Sequence, residues 1–399
     1  MSLAWSDFAR ALADEPLPVA LVDLDALERN VDRLRAQVRG TGKTLRVASK
    51  SVRHVGLLRR VLERGGDDFR GLMCFTPREA AFLATEGFDD LLVAYPSTRG
   101  LAEVAAQVRD GKTIRLMADG EAHLEAYQRA AEAAGVTLEV LLELDVAYQP
   151  MGGRLHLGVL RSPLRTAARI EAVAREAQRH GSLRVVGLMG YEAHVAGLPD
   201  ATPFSRALNP ARRALKRLSV PQIAQLRADA VEALRRAGVD PVVVNGGGTG
   251  SLSTTTSEAA VTEVTAGSGF LCSHLFDYYV GNVLEPAAFF ALEVCREPEA
   301  GVVTCLGGGY VASGEPGWDR LPLPWLPRGL QYISIEGAGE VQTPLRVPSG
   351  VRLAVGDPVI FRHAKAGELA ERFDAYALMS GGRIVAREPT YRGQGACFL

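Results

Sequence analysis

The sequence has 399 residues, 45 Lys plus Arg against 46 Asp plus Glu, and a formal net charge of −1, a balance that argues against nucleic acid or an anionic membrane surface as partner. With 47% hydrophobic and 23% charged residues the composition is that of a folded globular protein, and the length favours more than one domain. The longest apolar runs, PVVV at 241–244 and PAAFFAL at 286–292, fall far short of the roughly 20 residues that span a bilayer, and Asp7, Arg10, Asp14 and Glu15 interrupt the opening stretch where a secretion signal needs unbroken apolar residues, so a cytoplasmic protein is expected.

In chain order, PVALVDLDALERNVDRLRAQ at 18–37 reads as a strand running into a helix, with Asp23 or Asp25 as N-cap. Because it precedes the regular strand train, it is grouped with the tail as a unit 1–37 on the side of a second, β-rich domain. Eight short apolar or β-branched runs follow: LRVAS (45–49), GLMCF (71–75), LLVAY (91–95), TIRLM (113–117), LEVLLEL (138–144), RVVGLMG (184–190), PVVVN (241–245) and VTEVTA (261–266). Amphipathic stretches such as EAHLEAYQRAAEAAG lie between them, several closed by the glycine that a helix C-terminus favours. Eight β units alternating with α units predict an α/β fold, a (β/α)8 TIM-type barrel over 38–284. A doubly wound open sheet would also alternate, but it calls for GxGxxG after the first strand, where this chain has KSVRH. From 285 to 399 proline and glycine become frequent and short alternating runs (ALEVC, GVVTCLG, GDPVIF) replace helices, which predicts a smaller C-terminal β domain. The five cysteines, Cys74, Cys272, Cys295, Cys305 and Cys397, are odd in number and form no CxxC, a pattern of free thiols.

In such a barrel, reactive groups sit on the loops after the strands, and phosphate is most often held after strands seven and eight. Strand seven runs into GGGTGS (Gly246, Gly247, Gly248, Thr249, Gly250, Ser251) and strand eight into Gly267 and Ser268. Two turns without obstructing side chains can aim backbone N–H groups and hydroxyls at one anion. The first strand ends in Lys50. A lone lysine is most often snorkelling or ion-paired; at this rim it can instead be an amine that desolvation and the neighbouring cations Arg46, Arg53 and His54 keep in its nucleophilic form. A phosphorylated aldehyde, with pyridoxal 5'-phosphate as the example, satisfies both features. His194, in YEAHVAG after strand six, is either a structural histidine or a proton carrier on that rim, and Asn245 and Glu263 either line the barrel mouth or end their strands. His123, His156 and His180 are read as structural.

These segments together resemble the fold-type III pyridoxal-phosphate enzymes, the alanine racemase-like superfamily, in its D-threonine aldolase and D-serine dehydratase branch. The resemblance is carried by VALVDLDALERNV with Lys50, ELDVAYQPMGGRLHLG (143–158), GLMGYEAHVAG (187–197), VNGGGTGS (244–251) and TEVTAGSGF (262–270). It implies that Lys50 bonds to the cofactor's aldehyde, that Arg154 contacts the ring hydroxyl, that Tyr191 lies beside the ring, and that the glycine loops hold the phosphate. It implies a homodimer and a lyase reaction, retro-aldol cleavage or β-elimination, on a small β-hydroxy D-amino acid, with Lys50 and His194 moving protons. Taken by itself, Arg154 is an ordinary ion-pair partner for Asp145. A racemase is the first alternative; it needs a second base on the opposite face of the substrate, which in alanine racemase is a tyrosine from the partner's C-terminal domain, and Tyr310, Tyr332 and Tyr376 are available. A non-catalytic pyridoxal-phosphate carrier and a sugar-phosphate aldolase are further ones. The branch binds a divalent metal through a histidine followed two residues later by cysteine or aspartate; here the positions are His363 and Lys365, and since an ammonium is no ligand, no metal is expected.

Overall fold

The computed structural model describes residues 3–399. Its centre is a closed barrel of eight parallel strands. A strand before the barrel, β1 (Val19–Asp23), leads to β2 (Thr44–Ala48), β3 (Phe69–Cys74), β4 (Leu91–Val93), β5 (Ile114–Ala118), β6 (Leu138–Glu143), β7 (Leu183–Gly190), β8 (Val243–Gly246) and β9 (Glu263–Ala266), and β9 pairs back onto β2 to close the ring. Side chains alternate between two cores as the pleat requires. Leu91 and Val93 pack outward into the main core beneath the helices, while Leu92 joins Met117, Leu141 and Val186 in a separate interior cluster.

Toward the amino-terminal ends of the strands the barrel is plugged by charge. Arg46, 1% exposed, donates to both carboxylate oxygens of Glu263 at 2.7 and 2.8 Å and to Asp90 at 3.0 Å, and Asn245 donates to Glu263 at 2.8 Å. Glu263 therefore anchors the plug, and Asn245 joins it to the cavity floor above.

The second sheet contains β10 (Ala288–Glu299), β11 (Val302–Leu306), β12 (Leu323–Leu326), β13 (Gln331–Tyr332), β14 (Gln342–Arg346), β15 (Pro358–Arg362), β16 (Ala375–Ser380) and β17 (Arg383–Pro389), together with β1. β1 lies between β10, antiparallel, and β16, parallel. All five of its residues are buried, as expected of a central strand covered on both faces. Asp23 caps the helix Leu24–Val38 by accepting from the Ala26 N–H at 3.1 Å, so strand and helix are joined without slack. No helix among the described residues is long and apolar enough to cross a membrane.

Candidate active site

At the carboxyl ends of the barrel strands a cavity of about 770 Å³ opens between the barrel and the second sheet, within the size range of small-ligand sites. Lys50 lines it from the single 3-10 turn Ser49–Ser51 that follows β2. The turn is braced on three sides. The Ser49 hydroxyl donates to the Met73 carbonyl at 2.9 Å, the Arg53 guanidinium to the Lys50 carbonyl at 3.0 Å, and Gly367 (φ 85°) packs so close to that carbonyl that a Cβ there would lie 1.9 Å from its oxygen. The Lys50 amine is thereby held at 2.6 Å from the Tyr95 hydroxyl.

The cations expected to crowd Lys50 are each paired with a carboxylate or neutral. Arg46 belongs to the barrel plug, Arg53 pairs with Glu371 at 2.6 Å, and His54, its ring accepting the Leu57 N–H, is pushed down to about 4 by burial and is neutral. The neighbour that matters is a phenol.

The two glycine turns face the cavity through Gly247, Gly248, Thr249, Gly267 and Ser268. Gly247 has φ 93°, a conformation that only glycine adopts cheaply. The Thr249 hydroxyl accepts from the Gly269 N–H at 3.1 Å and ties the two turns together, and Ser268 reaches Ser51 in the lysine turn at 3.3 Å. Gly246 and Gly250 serve packing instead: a Cβ at Gly246 would meet Arg227 at 2.6 Å, and one at Gly250 the Ala196 carbonyl at 2.4 Å.

Beneath the first turn lies a group that the sequence did not single out. Glu192, 2% exposed, accepts from the Gly247 N–H at 3.1 Å, the Ser251 hydroxyl at 2.7 Å, the Thr255 hydroxyl at 2.5 Å and the Arg227 guanidinium. Arg227, on the helix Asn209–Arg236, is fully buried and also donates to Glu258 at 2.5 Å and to the Gly190 carbonyl at 2.6 Å. Burial disfavours a charge on Glu192, yet Arg227 and the two hydroxyls hold it below the usual carboxylate range. The only sequence signal was its place beside Tyr191; its partners are 35 to 63 residues away.

Tyr191 lines the cavity, and burial pushes its hydroxyl up to about 12. Arg154 does not reach it. The turn Met151–Leu155 is exposed, and Asp145 is taken by Arg165 at 3.0 Å and His156 at 3.7 Å. Arg161, seven residues on, lines the cavity instead, 5.5 Å from the Tyr95 ring centre and 5.9 Å from that of Tyr191. The GGR motif lies within a surface turn, so the chain delivers an arginine only after returning to the rim. His194 is buried but does not line the cavity; a Cβ on Gly158 would meet its ring at 3.4 Å, which places it under the 148–158 segment. In the second sheet's wall, His363 is buried behind the cavity surface and held neutral, its titration pushed down to about 3 by burial with Arg362 and His274 beside it. Lys365 does line the cavity, its amine on the Ser313 hydroxyl at 2.9 Å and near Glu368 at 3.6 Å. The two therefore do not act as a pair.

An amine on the first rim turn and glycine turns after the last two strands thus share one cavity at the carboxyl ends of the barrel strands, where barrels of this kind carry their reactive groups. The family model described as alanine racemase, N-terminal domain, matches residues 22–271, and the chain belongs to that family. It is 25% identical over 253 residues to 3-hydroxy-D-aspartate aldolase of Paracoccus denitrificans, covering 63% of this chain and 59% of that protein. It is 28% identical over 251 residues to D-threo-3-hydroxyaspartate dehydratase of Delftia sp., covering 63% and 60%. These matches span about three fifths of the length of the curated relatives. Over 97% of both chains the fold superposes on D-threonine aldolase from Filomicrobium marinum with a TM-score of 0.81 at 20% identity.

Proposed function

We propose that this chain is a pyridoxal-phosphate-dependent lyase acting on a small β-hydroxy D-amino acid by retro-aldol cleavage or β-elimination. The observation that carries the reading is the Lys50 amine in one cavity with two cross-linked glycine turns. The residues fit the cofactor: an amine for its aldehyde, a cradle without Cβ atoms for its phosphate, and Tyr191 and Arg161 to flank its ring. When bound, the cofactor supplies an electron-accepting ring that makes bonds to the substrate α-carbon labile. This chain's own part is to orient the substrate and to hold and return a proton at Lys50 Nζ. Relatives named as aldolase and dehydratase of 3-hydroxyaspartate support β-hydroxy D-amino acids as the substrate class.

The relatives named as aldolase and dehydratase favour a lyase over a racemase; a racemase's second base would have to enter from a partner subunit, since this chain's own candidates stand outside the cavity. Tyr310, Tyr332 and Tyr376 do not line it: Tyr310 packs on Phe290 and Phe373, Tyr332 donates to the Pro322 carbonyl at 2.7 Å, and Tyr376 is buried against His54. A carrier protein would need no enclosing wall, whereas here Ser273, Arg320 and Lys365 complete the chamber. Incubating the purified protein with pyridoxal phosphate and a panel of D- and L-β-hydroxy amino acids should yield aldehyde or keto acid from D-isomers. Inversion of alanine or serine with neither product would replace this reading by racemase.

Two further results are expected. A Cβ at Gly248 would lie 2.8 Å from Ala196 Cβ and 3.1 Å from the Tyr191 ring, so Gly248→Ala should shift the turn, lower the melting temperature by a few degrees and weaken cofactor binding roughly tenfold, the loss of about one hydrogen bond's worth of fit. Unchanged affinity would reduce the turn to a structural one. The residues at the relatives' metal position do not fit a cation: His363 does not line the cavity and Lys365 brings its own positive charge, and no group of three or more His, Cys, Asp or Glu among the described residues could hold a metal. Activity is therefore expected to survive chelator, while Lys365→Ala lowers it on hydroxylated substrates; loss on chelation with recovery by zinc or manganese would refute this.

A further inference from the structure

Tyr95 follows β4 at the carboxyl end of its strand, the position where barrel enzymes place reacting groups. Its hydroxyl oxygen is the hydrogen-bond partner of Lys50 Nζ at 2.6 Å, a short contact for an N–H···O bond. The same ring faces Arg161 at 5.5 Å and the cavity. Nothing about packing requires a hydroxyl there, since the ring's apolar neighbours would be served by phenylalanine. From this geometry, and resting on the lyase reading above, we propose that Tyr95 is a further catalytic residue whose hydroxyl oxygen, in contact with Lys50 Nζ, orients that nitrogen as it takes up and returns the substrate's proton.

The proton inventory closes without any added reagent. The Lys50 lone pair takes a proton from the substrate, the bonding electrons remaining on the substrate, and Nζ becomes an ammonium. One of its hydrogens is donated to the Tyr95 oxygen, which fixes the direction of the other two toward the reacting atoms. On the return half the ammonium gives one proton to the product and Tyr95 is unchanged. The electrostatic setting suits an acceptor role. Burial would raise the phenol's titration, but the positive charges of Lys50 and Arg161 bring it below its ordinary value. The remaining charge facing it is Glu143, itself pushed up to about 7 by burial and by Asp119 and so partly protonated near neutral pH.

Tyr95→Phe in the cofactor-loaded protein is the test. The variant is expected to melt within a few degrees of the wild type and to bind pyridoxal phosphate within threefold. Its turnover number should fall about 10²-fold at nearly constant KM, the lower end of what general acid–base catalysis contributes, because the proton carrier Lys50 loses its orientation. The pH midpoint of the bound cofactor's visible band should also move down by about 0.5–1 unit, because the protonated nitrogen loses an acceptor worth one ordinary hydrogen bond. A variant with turnover within threefold and an unmoved midpoint overturns the proposal. So does a loss of turnover matched by loss of cofactor affinity, which would make Tyr95 a wall residue. If the wild type develops no visible band with pyridoxal phosphate, the cofactor reading falls first and the role of Tyr95 with it; the outcomes are thus separable.

Discussion

Lys50→Ala is expected to abolish borohydride-fixed incorporation of pyridoxal phosphate and to reduce lyase turnover by about 10⁴-fold or more, beyond what a lost general base alone would cost. The size follows from the residue's two tasks. On the proposed function its amine is both covalent anchor and proton carrier, so alanine removes both at once; Lys365 is held on Ser313, and Arg161 is a guanidinium that does not act as a nucleophile. The fold should tolerate the change, because the lysine turn is fixed by Ser49, Arg53 and Gly367 rather than by the Lys50 side chain. Peptide mapping of the reduced wild-type protein should find the pyridoxyl group on Lys50; a label on any other lysine would remove the basis of the functional reading.

Arg227→Met is expected to be the most destabilising single change near the site. One guanidinium neutralises Glu192 and Glu258, both nearly inaccessible to water. Without it, two carboxylates face each other in a buried volume, a situation that costs about 3–5 kcal/mol. Cofactor affinity should fall as well, since Glu192 shapes the turn at Gly247 through the Gly247 N–H and the Ser251 hydroxyl. The sign of the pH dependence is determined. In the wild type the Glu192 titration lies below the unfolded value, so its stabilisation is present above the unfolded pKa and is lost as pH falls through the folded one. In the variant, burial and the second carboxylate raise the folded value, and the penalty is relieved as pH falls. The gap in denaturant midpoint between the two proteins should therefore narrow on acidification. Adding Glu192→Gln to Arg227→Met should recover part of the loss. A gap independent of pH would show that the guanidinium acts by packing alone.

The barrel was legible because its strands are buried on both faces and so read as continuous apolar runs: LLVAY and RVVGLMG need no partner to declare themselves. Lys50 and the glycine turns were legible for a related reason, each lying immediately after such a run. What the sequence hid is what long-range packing decides. Arg154 carries the motif, but the turn that holds it is exposed, and Arg161 occupies the cavity. His194 sits three residues past a cavity tyrosine, yet the short helix Ala193–Ala196 carries it under a neighbouring segment. Glu192 and Arg227 meet across 35 residues and declare their role only as a pair. Tyr95 ended a run that was read for its apolar content, and its hydroxyl gained meaning only when the register of the barrel set it against Lys50.

The place of β1 has a consequence for how the molecule forms. This strand, buried along its whole length, has β10 on one side and β16 on the other, partners 266 to 356 positions further along the chain by the pairs Val22 to Ala288 and Ala20 to Tyr376. A nascent chain therefore carries an unpaired apolar strand through the synthesis of the entire barrel, and the sheet that buries it is finished only when residues 375–380 emerge. Such non-local pairing is slow, and the waiting edge is open to wrong partners. The barrel is free to close early, but the wall of the cavity that carries Lys365, and the Gly367 contact that braces the lysine turn, come late. Competence to bind a cofactor tightly should accordingly lag behind barrel formation during refolding, with the delay set by the docking of β1.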